Sequence, residues 1–150
     1  MQKLKITLCS FMFLLVASCS CNTSFTNRES DIKEAQDFAN KFYDLLKSND
    51  FDKTYSLYSK DFYEVTDTPG LNKIYQGTLS NLGEIKSINM EQCETRIVKG
   101  TDSKAEYVML YKVDRAKYAS EEMIRLEKQN NKMKILSYRV NSEGFVKSSK

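Results

Sequence analysis

Histidine and tryptophan are both missing from this chain of 150 residues. The lack of histidine excludes Ser-His-Asp triads, Cys-His pairs and metal sites built on imidazole. Glycine is scarce, with five residues, and none of them belongs to a GxGxxG, a GxSxG or a phosphate-binding loop motif. The oxygen-rich run Asn49-Asp50-Phe51-Asp52 lacks the glycine and the later glutamate of a calcium loop. We therefore expect no catalytic motif, no metal site and no cofactor.

Neither sign of charge dominates the sequence. Lysine and arginine number 23 and the acids 20, and loss of residues 1–18 with their two lysines would leave 21 basic against 20 acidic residues. A surface that binds nucleic acid is typically marked by a basic face or stripe, whereas acids and bases are interspersed here. We expect no nucleic-acid partner. The residues from 31 onward are enough for one modest core, which indicates a single domain.

The amino terminus carries a targeting signal. Lys3 and Lys5 precede an apolar run over residues 6–17, which ends in Val16-Ala17-Ser18-Cys19. This run resembles the lipobox of bacterial lipoproteins. The resemblance implies that residues 1–18 are removed as a signal peptide, that Cys19 is acylated, and that the protein is extracytoplasmic and bound to a membrane through lipid. Because Ser20 rather than Asp follows, it also implies the outer membrane, facing the periplasm, if the host is a diderm.

Two other interpretations of this segment remain open. A transmembrane anchor needs about 20 apolar residues, more than this run supplies, and an ordinary secretory signal would fit the charge and the apolar core. Cys21 is a second candidate for acylation. The residues that precede it, Cys19 and Ser20, match a lipobox less well than Val16-Ala17-Ser18, which precede Cys19. The polar composition of residues 19–30 predicts a flexible tether. Cys21 and Cys93 are also a candidate disulfide pair, unless Cys93 is a small buried hydrophobe in a strand.

The rest of the chain has a helical half followed by a half with strand periodicity. Asp31 and Glu34 have the spacing of a capping box, and apolar residues then recur at three and four positions up to Leu46. Aromatic residues over 51–62 predict a second helix, and a third is predicted from Pro69 to a C-terminal cap at Gly83. Strands are predicted over 85–98, with a bulge, and over 107–113, 123–128 and 132–141. Asn130-Asn131 suits the tight turn between the last two strands. Helices followed by an antiparallel meander predict an α+β domain with helices on a curved sheet of about four strands.

A second resemblance covers residues 31–142. The helix pattern Ala-x-x-Phe-Ala-x-x-Phe-Tyr-x-x-Leu, the run Asn-Asp-Phe-Asp-Lys-Thr-Tyr and the closing hairpin around Asn130-Asn131 are similar to the nuclear transport factor 2-like superfamily. The similarity is greatest to small bacterial lipoproteins of unknown function, and it leaves residues 143–150 as a loose tail. The resemblance implies a cavity between the helices and the concave sheet. Candidate lining residues are Tyr43, Tyr75, Tyr107, Tyr111 and Tyr138, with Arg96 and Arg139 as charged partners. These tyrosines could equally fill the core, and the two arginines could be surface residues.

Three functions follow as hypotheses. The first is a membrane-anchored domain that binds a protein partner or a small apolar ligand without turnover. The second is a small enzyme in which a tyrosine hydroxyl and a carboxylate transfer a proton. The third is a structural accessory of the cell envelope whose cavity is filled by side chains. No Asp or Glu is identified on an inward face, which favours the first over the second.

Overall fold

The structure, a computed structural model, describes residues 23–100 and 103–147. Its elements in chain order are β1 (Thr23–Thr26), α1 (Glu29–Lys47), α2 (Phe51–Tyr55), α3 (Lys60–Tyr63), α4 (Thr68–Leu82), β2 (Ile85–Lys99), β3 (Lys104–Arg115), β4 (Ser120–Gln129), β5 (Lys132–Asn141) and α5 (Gly144–Lys147). The five strands form one antiparallel sheet in sequence order. The fold class is therefore α+β, as predicted, with helices packed on a curved sheet.

Helix α1 supplies the largest helical contribution to the core. Its buried apolar side chains recur at three and four positions, so they form one face: Ala35, Ala39, Phe42, Tyr43 and Leu46. The ring of Phe42 meets Tyr58 and Tyr138 edge-on. Such edge-to-face contacts place the electropositive ring edge against the electronegative face of a neighbouring ring. An aromatic cluster therefore joins α1 to the sheet and to the segment that follows α2.

The two central strands alternate between the core and solvent. In β3 the buried residues are Tyr107, Met109, Tyr111, Val113 and Arg115, and in β4 they are Ser120, Glu122, Ile124 and Leu126. This period of two is what a sheet with one covered face requires. Polar and charged residues lie at one end of both inward rows. The candidate functional site lies at that end of the two strands.

The segment predicted as the second helix is divided into α2 and α3. The backbone N–H of Ser59 donates to the carbonyl of Ile135, and the N–H of Ile135 donates to the carbonyl of Leu57. These bonds make a short parallel bridge to β5, which competes with the helical pattern. The hydroxyl of Ser59 then accepts from the N–H of Phe62 and starts α3. Tertiary pairing has overridden the aromatic periodicity.

Both ends of the predicted domain contain more secondary structure than we expected. Residues 23–26, predicted as tether, form β1 against the end of β2, and the predicted loose tail contains the single turn α5. Helix α1 begins at Glu29 without a side-chain cap, and the predicted cap Asp31 lies within its first turn, where it accepts a bidentate contact from Arg28. Strand β1 raises the strand number from about four to five.

The predicted boundaries of α4 are nearly right. Asp67 provides the N-terminal cap by accepting from the N–H of Gly70, and Pro69 lies in the first turn. At the other end Gly83 has φ +82°, as a C-terminal cap requires, and a Cβ there would lie 2.8 Å from the Cβ of Ala116. Helix α4 thus ends in close contact with the β3–β4 connection. Among the described residues, no helix is long and apolar enough to cross a membrane.

Candidate ligand-binding cleft

A cleft of about 880 Å³ lies between α4 and the β3–β5 part of the sheet. It falls within the size range of small-molecule sites, about 300 to 1,000 Å³. Its lining comes from α4 (Lys73, Ile74, Gly77, Thr78 and Asn81), from β2–β5 (Glu91, Leu110, Tyr111, Glu121, Glu122, Met123, Tyr138, Arg139, Val140 and Asn141) and from Phe145 of α5. The helix, the sheet and the last turn of the described chain therefore share one concave surface.

The cleft-facing side of α4 is not packed like an ordinary helix face. Residues 73, 74, 77, 78 and 81 follow the spacing of a single helical face. Ile74 on this face is 41% exposed, and a Cβ added at Gly77 would meet no atom within 4 Å. Thr78, which is buried, also lines the cleft. The face is shaped to border a space rather than to contact the sheet.

A fully buried carboxylate lies in the wall of the cleft opposite α4. The Oε1 atom of Glu122 accepts from Arg115 Nη2 at 2.6 Å, from Arg115 Nε at 3.2 Å and from Ser120 Oγ at 2.7 Å. Its Oε2 atom accepts from the hydroxyls of Tyr138 at 2.6 Å and Tyr43 at 3.1 Å. The Glu122 side chain is 0% exposed and that of Arg115 is 4% exposed. Burial of an ion pair is tolerable here because five donated hydrogen bonds replace water around the carboxylate.

The environment keeps the two tyrosine hydroxyls protonated. The pKa of Tyr43 is raised far above its usual value near 10, mainly by burial and next by the negative charge of Glu122. The same two causes, in the same order, raise the pKa of Tyr138 well above that value. Both hydroxyls therefore remain donors to the carboxylate at neutral pH.

Arg115 connects the carboxylate to the end of α4. Its Nη1 atom donates to the carbonyl of Gly83 at 3.3 Å, while its other nitrogens contact Glu122 and Ser120. Gly83 is the cap of α4, so the position of the helix end is linked to the position of the carboxylate. The network consequently holds the two walls of the cleft in a fixed relation.

The structure brings three of the seven candidate lining residues to the cleft, namely Tyr111, Tyr138 and Arg139. Tyr43 is behind the wall, and Tyr75 is in the core, where its hydroxyl lies 2.9 Å from Thr54 and 2.8 Å from Tyr58. Tyr107 is buried away from the cleft, and Arg96 is exposed beside Glu106 at a separate surface depression. The tyrosines thus divide between lining and core.

The expectation that no acid faces inward is wrong, because Glu122 does. The predicted strand begins at Met123, which leaves Glu122 outside it. Extending the alternation of Ile124 and Leu126 back by two residues would have put Glu122 on the inward face. A carboxylate is rarely buried without partners, and the partners of Glu122 come from α1, β3 and β5 as well as its own strand.

The predicted lipidation site and half of the predicted disulfide cannot be placed. Cys19 and Cys21 lie outside the described residues. Cys93 is in β2, half-buried, with a free thiol whose pKa is raised by burial. No group of three His, Cys, Asp or Glu side chains in the described part of the chain is arranged to hold a metal ion.

The arrangement favours binding over acid-base chemistry. A general base must present an oxygen lone pair to its substrate, and donors from the protein already occupy both oxygens of Glu122. Apolar side chains and tyrosine rings make up much of the remaining lining. No family model, curated protein or solved structure matches this chain. The geometry of the cleft is therefore the basis for a functional proposal.

Proposed function

We propose that this protein is a lipid-anchored extracytoplasmic lipoprotein whose domain binds a small, mostly apolar ligand in the cleft beside α4 without chemical turnover. The observation that carries the binding proposal is an open volume of about 880 Å³ bordered by the unpacked face of Ile74 and Gly77. A structural accessory whose cavity is filled by side chains would have no such space. The cleft thus favours a ligand over a purely structural role.

The nuclear transport factor 2-like assignment is part of this proposal. Support comes from the order of elements, with helices α1–α4 followed by a β2–β5 meander, and from a cleft bordered by α4 and by residues of β2–β5. Strand β1 and the division of the second helix are additions to the pattern expected from sequence. Architecture of this kind bears on fold and leaves function to the site itself.

The anchoring part rests on the lipobox resemblance. We expect radioactive palmitate to label the wild-type protein and its Cys21→Ser variant in the host, because Cys19 is the residue with the small-residue approach. The Cys19→Ser variant should take up no label. If the Cys21→Ser variant loses the label and the Cys19→Ser variant keeps it, the anchor is Cys21 instead of Cys19. An unlabelled wild type would overturn lipidation.

One observation favours proton-transfer catalysis as a second candidate. Glu122 and Tyr138 form a buried carboxylate–tyrosine pair in the wall of a cavity of suitable size. Against it, two hydrogen bonds from the Arg115 guanidinium and three from the hydroxyls of Ser120, Tyr43 and Tyr138 leave the carboxylate no open acceptor position. The two candidates differ in what happens to the ligand. A molecule recovered from the protein with unchanged mass supports binding, and a product of altered mass supports the enzyme.

Occupation of the cleft is testable with a neutral apolar dye, N-phenyl-1-naphthylamine. Gly77→Trp would place an indole in the open space, whereas Gln76→Trp places the same group on the adjacent, exposed position of α4. We expect saturable dye fluorescence with the wild type and with Gln76→Trp, and affinity about tenfold weaker or worse with Gly77→Trp, equivalent to about 1.4 kcal/mol. Equal affinity in the two variants would place the dye elsewhere and contradict the proposal.

A further inference from the structure

The chain enters the domain at one identifiable end of the sheet. Thr23, the first described residue, is opposite Lys99 at the last position of β2. The β2–β3 hairpin therefore lies beside the start of β1. The register from β3 to β5 brings the Asn130-Asn131 turn to the same end. We call this end, with the two hairpins and the start of β1, the tether end.

A lipid on Cys19 would hold the tether end close to the bilayer. Thr23 is four positions after Cys19, and a fully extended chain of four residue steps spans at most about 14 Å. This step rests on the lipidation in the proposed function. Strand β1 makes the restraint tight, because it removes residues 23–26 from the predicted tether.

The tether end carries an excess of positive charge. A depression of about 530 Å³ between the start of α1 and the hairpins is lined by Arg28, Lys99, Lys104 and Lys128, with Asp31 as its one acidic lining residue among those described. Asp31 is engaged by Arg28, and Lys128 is paired with Glu34 of α1. Lys99 and Lys104 have no acidic partner within residues 23–100 and 103–147. Lys132 adds a cation at the start of β5, and in the sequence Asp102 falls between β2 and β3.

We infer that the tether end is a docking surface for the anionic headgroups of the bilayer that holds the lipid anchor. Its two unpaired lysines lie within reach of that bilayer, where the negative surface potential attracts cations over about one Debye length, roughly 8 to 10 Å at ordinary salt. The anchor supplies the attachment, and the lysines select one orientation of the domain.

The orientation has a consequence for the cleft. From Lys104 at the tether end to Tyr111 in the cleft wall, β3 advances seven residues, or about 23 Å. The docked domain therefore presents its cleft well above the headgroups. The ligand then enters from the aqueous compartment rather than by lateral movement out of the membrane.

Depth-dependent quenching of a single tryptophan tests the orientation, since the natural chain contains none. The acylated protein purified from its host is placed in vesicles with spin-labelled headgroups. The vesicles are either phosphatidylcholine or a mixture of phosphatidylcholine and phosphatidylglycerol. One protein carries Thr23→Trp at the tether end and a second carries Gln76→Trp on α4, both at exposed positions. In the anionic vesicles we expect strong quenching at position 23 and little at position 76.

Matched charge reversals separate the docking surface from the anchor. Lys99→Glu with Lys104→Glu should bring quenching at position 76 in anionic vesicles up toward that at position 23, because the domain loses its preferred orientation. Lys86→Glu with Lys112→Glu makes the same charge change on exposed positions far from the tether end and should leave the quenching pattern as it is. Equal quenching at both positions in the unreversed protein, or the same effect from both reversals, would overturn the docking surface. Protein that fails to enter the vesicles at all would instead contradict lipidation, and dye binding reports on the cleft independently.

Discussion

Two buried tyrosines of this protein differ in what their hydroxyls contact. The hydroxyl of Tyr138 donates to Glu122, with 2.6 Å between the oxygens, and completes the coordination of a buried carboxylate. The hydroxyl of Tyr107 is also buried, but among the described residues it makes no hydrogen bond of good geometry, although Lys128 lies near enough to oppose the rise in its pKa that burial causes. A satisfied and an unsatisfied hydroxyl should respond in opposite ways to removal.

The pair Tyr138→Phe and Tyr107→Phe makes that contrast measurable. Tyr138→Phe should lower the free energy of unfolding by about 1.5 to 3 kcal/mol, since a hydrogen bond to a charged group is lost and Glu122 stays buried. Tyr107→Phe should leave stability unchanged or raise it. Urea titration of both variants and the wild type provides the measurement. Losses of similar size in the two variants would show that the contact with Glu122 has no special energetic weight.

The raised pKa values of Tyr43 and Tyr138 predict a loss of stability in alkali. Unfolded tyrosines release their protons near pH 10, whereas these two keep theirs in the folded state. The folded state is thus fully favoured below pH 10 and loses stability as pH rises from there toward the folded pKa values. Each such tyrosine adds a slope of about 1.4 kcal/mol per pH unit. We expect a shallower decline above pH 10 for Tyr138→Phe than for the wild type, measured by urea titration at several pH values, and identical slopes would contradict the raised pKa.

At the scale of whole elements, α4 combines a rigid end with an unpacked middle. Its first turn is capped by Asp67, and its last turn ends at Gly83, whose carbonyl accepts from Arg115. Between them Gly77 lies in the interior of the helix and leaves open space on the cleft side. A glycine in a helix interior lowers stability, so the only benefit of Gly77 is the open space that it leaves in the cleft.

Replacement of Gly77 separates that cost from the backbone requirement at Gly83. Gly77→Ala should raise the free energy of unfolding by about 0.5 to 1 kcal/mol, because a Cβ there meets nothing and alanine favours the helix. Gly83→Ala should lower it, because φ is +82° and the new Cβ would lie 2.8 Å from the Cβ of Ala116. Thermal unfolding monitored by circular dichroism gives both values. A destabilised Gly77→Ala protein would mean that the space beside α4 is smaller than the structure shows.

At the scale of the whole molecule, local patterns predicted the fold class and the long elements, and tertiary contacts produced the differences. The periodicity of α1 is a local property and was predicted. So was the turn at Asn130-Asn131, in which both asparagines have positive φ. Strand β1 depends on a distant partner, since Asn27 exchanges hydrogen bonds with Thr95 through backbone and side chain. No periodicity in residues 19–30 encodes that contact. The burial of Glu122 depends likewise on Arg115, which lies in the neighbouring strand β3.

The strand register also bears on the predicted pairing of Cys21 with Cys93. Thr23 is opposite Lys99, six residues beyond Cys93, so Thr23 lies about 20 Å from Cys93 along β2. The two residues from Thr23 back to Cys21 reach at most about 7 Å, and a disulfide needs its Cα atoms within about 7 Å of each other. The bridge would therefore require β1 to leave the sheet.

We accordingly expect two free thiols in the mature protein when Cys19 carries lipid. Alkylation with iodoacetamide in denaturant without reductant should add two groups to the wild type and one to Cys93→Ala, as counted by intact mass. The Cys21→Ser variant should also add one. A wild type that takes up no group until it is reduced would establish the bridge. In that case residues 23–26 could not be a strand in the oxidised protein, and the tether would be long enough to release the domain from the bilayer surface.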